Sequence, residues 1–192
     1  MPSGFALSFP PELLLRAMGP GLGMKAAIFD VDGVLTDGRL YIGELGETVK
    51  AFSTLDGHGL KLLARGGITP VVITGRDSPA VRRRVADLGL AHAVYGAQDK
   101  LAAAQAQLAA LGVDWADTAA IGDDWPDLPL LLHAGFACAS ANAHAEVRAV
   151  ADHVTRLVGG HGAAREFCDL LLMASGRYAT LLQAENRTLD AS

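Results

Sequence analysis

Two aspartates, Asp30 and Asp32, are the residues of this 192-residue chain whose type and spacing most directly suggest chemistry. They follow the apolar run 26–29, which predicts a buried parallel strand. Ligands of open α/β sheets bind just beyond the carboxyl ends of the strands, so we expect both carboxylates in a binding site. The alternative is an ordinary turn, because Asp and Gly are common turn residues.

An aspartate carboxylate can attack a phosphoryl group and form a covalent aspartyl-phosphate. We expect Asp30 to be such a nucleophile and also a metal ligand, because a hard cation such as Mg²⁺ lets two anions approach each other. Asp32 is expected to be the general acid that protonates the leaving oxygen, and then the general base that activates water. The pair therefore predicts phosphoryl transfer through a phosphoenzyme.

Two further polar positions fit the same reaction. Thr74 ends a predicted strand, and its hydroxyl and the backbone N–H of Gly75 could hold a phosphate oxygen. Lys100 begins a predicted helix, where a cation opposes the helix dipole. It could neutralise a transferring phosphoryl group and keep the nucleophile ionised. The alternatives are a simple turn at Thr74 and a solvated lysine at position 100.

A second acidic cluster follows the predicted strand 118–121 and consists of Asp123, Asp124 and Asp127. Two adjacent carboxylates repel each other by about 1 kcal/mol even in water at close range. A divalent cation removes that cost, so the cluster favours a metal site. Helix capping is the alternative use of these carboxylates.

Composition and charge exclude several classes of protein. Hydrophobic residues make up 51% and charged residues 19% of the chain, which is typical of one globular domain. The net charge of −5, without a dominant basic stripe, argues against binding to nucleic acid. Cys138 and Cys168 stand in apolar surroundings, which is typical of reduced core cysteines in a cytoplasmic protein. No apolar run is long enough to span a membrane, and prolines interrupt residues 1–24, which do not resemble a secretory signal.

Alternating strand and helix patterns predict an α/β fold with a Rossmann-like parallel sheet flanked by helices. We divide the chain into a leader (1–24) with one short helix, a core (25–176) and a weakly helical tail (177–192). The predicted strands are 26–29, 68–73, 93–95, 118–121, 136–139 and an edge strand at 153–155. The predicted core helices are 60–65, 79–88, 100–111, one through 132, 142–150 and 163–174.

A β-hairpin is expected to project after the first strand, from segments 39–42 and 48–54 around Gly43–Gly46. Too few residues remain before the next helix for a separate cap domain. A neighbouring subunit's hairpin is therefore the economical means of closing the site from water.

Four segments, FDVDGVLTDG, ITGR, DK and GDDWPDLP, resemble the motifs of the haloacid dehalogenase superfamily of Mg²⁺-dependent phosphatases. The segments KAFSTLDGHGLKLL, ITGRDSPAVRRRVADLG, ANAH and GGHGAAREFCDLLL further resemble its capless 3-deoxy-D-manno-octulosonate 8-phosphate phosphatase family. The resemblance covers about residues 25–176.

The resemblance implies a homotetramer in which a neighbour's hairpin completes each site and the C-terminal segment can cover it. It implies that Asp30, Asp123 and the backbone carbonyl of Asp32 bind Mg²⁺, and that Thr74 and Lys100 hold the phosphoryl group. The residues that it implies face the substrate are Ser53, Thr54, Leu55, Asp56, Gly57, Lys61, Arg76 and Arg84. Lys61 stands where an arginine is expected in some relatives, which loses a bidentate carboxylate contact.

The expected substrate is a sugar acid phosphate, whose carboxylate suits an arginine fork from Arg76, Arg84 or Arg165. The roles of His58, His161 and Arg165 stay open. We expect Mg²⁺-dependent hydrolysis of 3-deoxy-D-manno-octulosonate (KDO) 8-phosphate in the synthesis of the lipopolysaccharide inner-core precursor. The alternatives are phosphatases for 2-keto-3-deoxynononic acid or sialic acid 9-phosphate, a receiver-like domain, and a non-catalytic oligomerisation module. Asp32 and the GDDxxD pattern speak against a receiver.

Overall fold

The fold, taken from a computed structural model, is described for residues 7–21, 23–44 and 46–189. The strands are β1 (Ala26–Phe29), β2 (Tyr41–Gly43), β3 (Gly46–Val49), β4 (Thr69–Ile73), β5 (His92–Val94), β6 (Thr118–Gly122), β7 (Phe136–Ala139) and β8 (His153–Val154). The helices are α1 (Pro11–Met18), α2 (Thr54–Arg65), α3 (Pro79–Leu88), α4 (Lys100–Leu111), α5 (Leu128–His133), α6 (Ala145–Val150), α7 (Ala163–Ala174) and α8 (Tyr178–Leu189). Two short 3₁₀ turns lie at Trp115–Asp117 and Trp125–Asp127.

Six parallel strands form the main sheet in the order β5-β4-β1-β6-β7-β8, and β2 and β3 form a separate antiparallel hairpin. Strand β1 is central: Ile28 is opposite Val71 of β4 on one side and Ala120 of β6 on the other. Every residue of β1 is buried. The predicted α/β fold with a Rossmann-like sheet and a projecting hairpin is confirmed.

Helices cover both faces of the sheet because successive β1 side chains point to opposite sides. Phe29 packs with Phe167 of α7 on one face, their ring centroids 5.4 Å apart. Ile28 belongs to the apolar cluster on the other face, with Leu108 of α4 and Leu130 of α5. The carboxyl end of β1 is thereby held between two packed layers, and its loop emerges at a fixed place.

The boundary between the hairpin and α2 was predicted wrongly. The second hairpin strand ends at Val49 rather than at Thr54, and α2 begins at Thr54 rather than at Leu60. Ser53 is the N-cap, with Oγ accepting a hydrogen bond from the N–H of Asp56 at 3.4 Å. Gly57 and Gly59 obscured the helical pattern, and α2 keeps Gly59 because a Cβ there would lie 3.2 Å from the Cβ of Cys168 on α7.

Smaller differences occur at two other elements. The helix predicted from Asn142 begins at Ala145, because His144 is its N-cap and its ring accepts a hydrogen bond from the N–H of Glu146. Within the tail, Tyr178–Leu189 form the continuous helix α8, which packs against α7. Helix α1 also packs against α7, and the division into leader, core and tail stays a prediction.

None of the helices in the described residues is long and apolar enough to cross a membrane.

Candidate active site

The loops after β1, β4 and β6 meet at one end of the sheet and enclose a pocket of about 790 Å³. The three strands are parallel neighbours, so their carboxyl ends lie side by side. Seven of the predicted site residues line this pocket: Asp30, Asp32, Thr74, Gly75, Arg76, Lys100 and Asp123. The structure therefore brings together residues that are up to 93 positions apart in the chain.

Lys100 connects two carboxylates at the bottom of the pocket. Its Nζ lies 2.6 Å from Asp30 Oδ1 and 2.6 Å from Asp127 Oδ1, and all three side chains are buried. Burial lowers the pKa of the Lys100 ammonium, but the charges and hydrogen bonds of Asp30 and Asp127 outweigh it and raise that pKa. These carboxylates explain why a lysine is tolerated at the first residue of α4, against the helix dipole.

A cluster of three carboxylates fits a divalent cation. Oxygens of Asp30, Asp123 and Asp127 all lie within 4.8 Å of one another. The pKa of Asp30 is raised mainly by burial and secondarily by repulsion from Asp127. The pKa of Asp123 is raised mainly by burial and secondarily by repulsion from Asp30 and Asp127. Only one ammonium, Lys100, bonds to the cluster within the described residues. When all three carboxylates are ionised, two negative charges are left over, and carboxylate oxygens are the donors that Mg²⁺ prefers.

Gly33, in the loop that follows β1, leaves room for the Asp123 carboxylate of this cluster. Its φ is 95°, and a Cβ there would lie 2.0 Å from Asp123 Oδ2. The Gly33 carbonyl accepts hydrogen bonds from Ser140 Oγ at 3.1 Å and Asn142 Nδ2 at 3.2 Å. Asn142 Oδ1 in turn accepts from the N–H of Gly159 at 2.6 Å. The segments ANAH and GGHG therefore hold the loop that contains Asp30 and Asp32.

Asp124 and Asp127 also accept hydrogen bonds from nearby backbone N–H groups. Asp124 is exposed and accepts a hydrogen bond from the N–H of Trp125 at 2.8 Å, so the capping alternative applies to it. Asp127 Oδ2 accepts from the N–H of Asp123 at 3.1 Å while its other oxygen binds Lys100. The sequence placed Asp127 in the acidic cluster that favours a metal site, but the metal ligands implied by the resemblance did not include it.

Thr74 is almost completely buried at the end of β4. Its Oγ1 accepts a hydrogen bond from the N–H of Arg76 at 3.3 Å, so the O–H can donate to an anion in the pocket. Arg76 is exposed at the rim, with Nε 3.7 Å from Asp32 Oδ2. This arrangement places one neutral donor and one cation beside the acidic cluster.

Asp32 lines the same pocket but is not one of the three clustered carboxylates. Its Oδ1 is hydrogen-bonded to Lys50 Nζ, and the Lys50 side chain has no exposed surface. Asp32 is predicted to bind the metal through its backbone carbonyl. Its side-chain carboxylate would then be available for proton transfer. Lys50 was missed by the sequence analysis, because it lies in a hairpin whose segments were expected to project from the core.

A second group of predicted residues does not line the acidic pocket. Ser53, Asp56, Gly57 and Arg84 line a separate, much smaller cavity. Asp56 is buried and accepts hydrogen bonds from the N–H groups of Gly162 at 3.2 Å and Arg165 at 2.8 Å. Arg84 Nη2 donates to the carbonyl of Ser53 at 3.0 Å. These contacts give Asp56 and Arg84 a structural task within this subunit, and their role towards substrate stays a prediction.

The exposed positions on α2 also lie outside the pocket lining. Thr54, Leu55 and Lys61 are exposed to solvent and stay predictions as substrate contacts. His58 and Arg165 line a small apolar pocket under α8, and Arg165 Nε pairs with Asp169 at 2.9 Å. None of the described α8 residues lines the acidic pocket, so the predicted closure by the tail also stays a prediction.

Replacing Lys100 with methionine is expected to lower the free energy of unfolding by about 3–5 kcal/mol, because it leaves buried carboxylates without their counter-ion. Urea-induced unfolding in a buffer without divalent cations measures this loss. Lys25→Met is the matched control, since the Lys25 side chain is exposed and its pair with Asp117 is worth less than about 1 kcal/mol. Equal destabilisation by the two variants would contradict this view of the cluster.

Comparisons with known proteins agree with this geometry. A family model of haloacid dehalogenase-like hydrolases matches residues 96–167. The 3-deoxy-D-manno-octulosonate 8-phosphate phosphatase KdsC of Escherichia coli (strain B / BL21-DE3) is 41% identical over 160 residues, which are 83% of this chain and 85% of the relative.

Two solved structures have the same fold. The 3-deoxy-D-manno-octulosonate 8-phosphate phosphatase of Moraxella catarrhalis, in complex with magnesium, phosphate and KDO, is 38% identical with a TM-score of 0.85, covering 92% of this chain and 99% of that one. The cobalt-bound deoxy-D-mannose-octulosonate 8-phosphate phosphatase of Haemophilus influenzae is 43% identical with a TM-score of 0.80, covering 82% and 92%. The chain therefore belongs to the 3-deoxy-D-manno-octulosonate 8-phosphate phosphatase family of haloacid dehalogenase-like hydrolases.

Proposed function

We propose that this chain is a phosphatase that hydrolyses KDO 8-phosphate to KDO and inorganic phosphate through an aspartyl-phosphate on Asp30. The observation that supports it most is the buried set of Asp30, Asp123 and Asp127 around Lys100, which is built to hold a cation and an anion together. The relatives that share this chain's fold and about two fifths of its sequence are phosphatases for this substrate.

The cofactor is Mg²⁺, and the carboxylate cluster fits it in donor type, spacing and excess negative charge. Asp30, Asp123 and the backbone carbonyl of Asp32 are the proposed ligands, with Asp127 close enough to contribute. When bound, the ion neutralises negative charge on the nucleophile and on the phosphoryl oxygens.

In the first half-reaction an Asp30 oxygen attacks phosphorus, and the bond from phosphorus to the sugar oxygen breaks. Asp32, in its protonated form, gives its proton to that oxygen, so that the sugar leaves as a neutral alcohol. The charge on the remaining phosphoryl oxygens is stabilised by the Lys100 ammonium, the Thr74 hydroxyl and the Gly75 N–H.

In the second half-reaction Asp32, now a carboxylate, takes a proton from a water molecule whose oxygen attacks phosphorus. The bond between Asp30 and phosphorus breaks, which releases inorganic phosphate and returns Asp30 to a carboxylate. Asp32 ends the cycle protonated, as it began. The position of its carboxylate, apart from the clustered acids and beside Lys50, supports a separate role in proton transfer.

Arg76 is the residue of the pocket rim that fits the carboxylate of a sugar acid, since its side chain is 56% exposed. Ser53 to Gly57, Lys61 and Arg84 do not line the pocket, so we propose that they meet substrate in a homotetramer whose neighbours complete each site. We also propose a cytoplasmic location and a place in lipopolysaccharide inner-core precursor synthesis.

A phosphate-release assay on a substrate panel tests the proposal. With Mg²⁺ present, kcat/KM is expected to be highest for KDO 8-phosphate. The comparison substrates are 2-keto-3-deoxynononic acid 9-phosphate and sialic acid 9-phosphate, which carry the carboxylate and the terminal phosphate on a nine-carbon sugar acid. A higher kcat/KM for either would move the assignment to the nine-carbon alternative, and no hydrolysis of any phosphomonoester would overturn it.

A further inference from the structure

Lys50 lies immediately after the hairpin strand β3, where a charged side chain would ordinarily point to solvent. Its side chain is instead completely buried, with an exposed fraction of 0%. The ammonium is hydrogen-bonded to Asp32 Oδ1 and lies 3.2 Å from Glu47 Oε2. A buried ammonium is costly unless its partners are well placed, so this arrangement needs an explanation beyond anchoring a surface hairpin.

The same chain of contacts continues to the loop after β4. Ser78 Oγ donates a hydrogen bond to Glu47 Oε1 at 2.7 Å, and Ser78 is itself buried. Ser78 stands at the N-cap position of α3, but its side chain makes no capping hydrogen bond. Its hydroxyl is used for Glu47 instead. Burial raises the pKa of Glu47, but hydrogen bonds from Ser78 and Lys50 outweigh it and lower that pKa.

We propose that Lys50 is a positioning residue for Asp32, held in place by Glu47 and Ser78, so that the hairpin of each subunit orients its own acid/base carboxylate. This inference rests on the proposed function. It assigns to the hairpin a second task besides the predicted one of completing a neighbour's site.

The physical reason lies in the partial exposure of Asp32, whose side chain is 21% accessible at the pocket wall. A free carboxylate there could rotate between several directions, and a misplacement of about 1 Å can cost on the order of 10²-fold in rate. Lys50 fixes one oxygen from the buried side, which leaves Oδ2 towards Arg76 and the pocket. Glu47 holds the ammonium from its other side, and Ser78 joins the hairpin to the end of β4.

Lys50→Met tests the inference in the full-length enzyme with KDO 8-phosphate. We expect kcat to fall by about 10²-fold with little change in KM, because general acid–base catalysis is impaired while the phosphoryl site remains. In the background of Asp32→Asn, the same change is expected to reduce kcat little further, because Lys50 acts through the residue already removed. A full additional loss in the double variant, or an unchanged kcat in the single one, would overturn the inference.

Glu47→Gln keeps the Lys50–Asp32 contact and serves as a milder second variant should Lys50→Met fail to fold. It is expected to lower kcat in the same direction but less, again only when Asp32 is present; an unchanged kcat would count against the inference. Lys25→Met is the matched lysine control and is expected to retain wild-type kcat. If wild-type enzyme itself released no phosphate, the proposed function would fail; normal wild-type turnover with an unaffected Lys50→Met would reject only this inference.

Discussion

Replacing Asp30 with asparagine is expected to reduce kcat for phosphate release by on the order of 10⁵-fold, the effect of removing a nucleophile. The amide lacks the anionic oxygen that attacks phosphorus, while the pocket around it is retained. Substrate binding should be little affected, because Lys100, Thr74 and Gly75 remain in place to hold the phosphate. Steady-state phosphate release with KDO 8-phosphate measures the change.

The matched control is Asp87→Asn on α3, where the carboxylate pairs only with the exposed Arg83 at 2.9 Å among the contacts of the described residues. It should retain wild-type kcat. Asp30→Asn should also be at least as stable as wild type without metal, since it removes one of the mutually repelling carboxylates. An Asp30→Asn enzyme with normal turnover would show that another group accepts the phosphoryl unit.

Removal of Mg²⁺ with a chelator is the second large effect, and it is expected to lower kcat by about 10³-fold or more. A bound ion contributes several kcal/mol to the stabilisation of transition-state charge, and 1.36 kcal/mol corresponds to about tenfold in rate. Phosphate release with and without chelator, followed by re-addition of Mg²⁺, measures the loss and its reversal. Unchanged turnover after complete chelation would contradict the metal site.

The same carboxylates predict how stability depends on pH. The pKa values of Asp30 and Asp123 are raised in the folded state, by burial first and by repulsion second. Folded protein therefore holds these protons more strongly than unfolded protein does. Without metal, the free energy of unfolding is expected to fall as pH rises from the ordinary carboxyl pKa through the raised values.

Mg²⁺ binds the ionised carboxylates and should remove this penalty. The increase in melting temperature on adding Mg²⁺ is therefore expected to be larger at about pH 8 than at about pH 5. Thermal melts at both pH values, with Asp123→Asn as the variant that loses much of the difference, test this. A Mg²⁺ effect independent of pH would mean that the ion binds elsewhere.

Much of the fold and of the acidic pocket could be predicted because the decisive interactions are local or follow from topology. The apolar run of β1 before Asp30 indicates a buried strand, and parallel neighbours necessarily end on the same side of the sheet. The misplaced charge of Lys100 at a helix start also pointed to a carboxylate partner, which the structure identifies as Asp30 and Asp127.

The remaining features depend on contacts between distant segments, which sequence patterns do not reveal. Gly57 and Gly59 made α2 look too weak to begin at Thr54, whereas Gly59 lies where a Cβ would crowd Cys168 of α7. Asp56 looked like a substrate contact but binds the backbone at the start of α7. No sequence pattern singled out Lys50, and only the folded hairpin places it against Asp32.

The most direct test of the central claim is to identify the phosphorylated residue by mass spectrometry after acid quenching during turnover. We expect phosphorylation on Asp30, with at most one phosphoryl group per chain, and none in Asp30→Asn. A phosphoryl group on another residue, or turnover without any phosphoenzyme in wild type and Asp32→Asn alike, would contradict it.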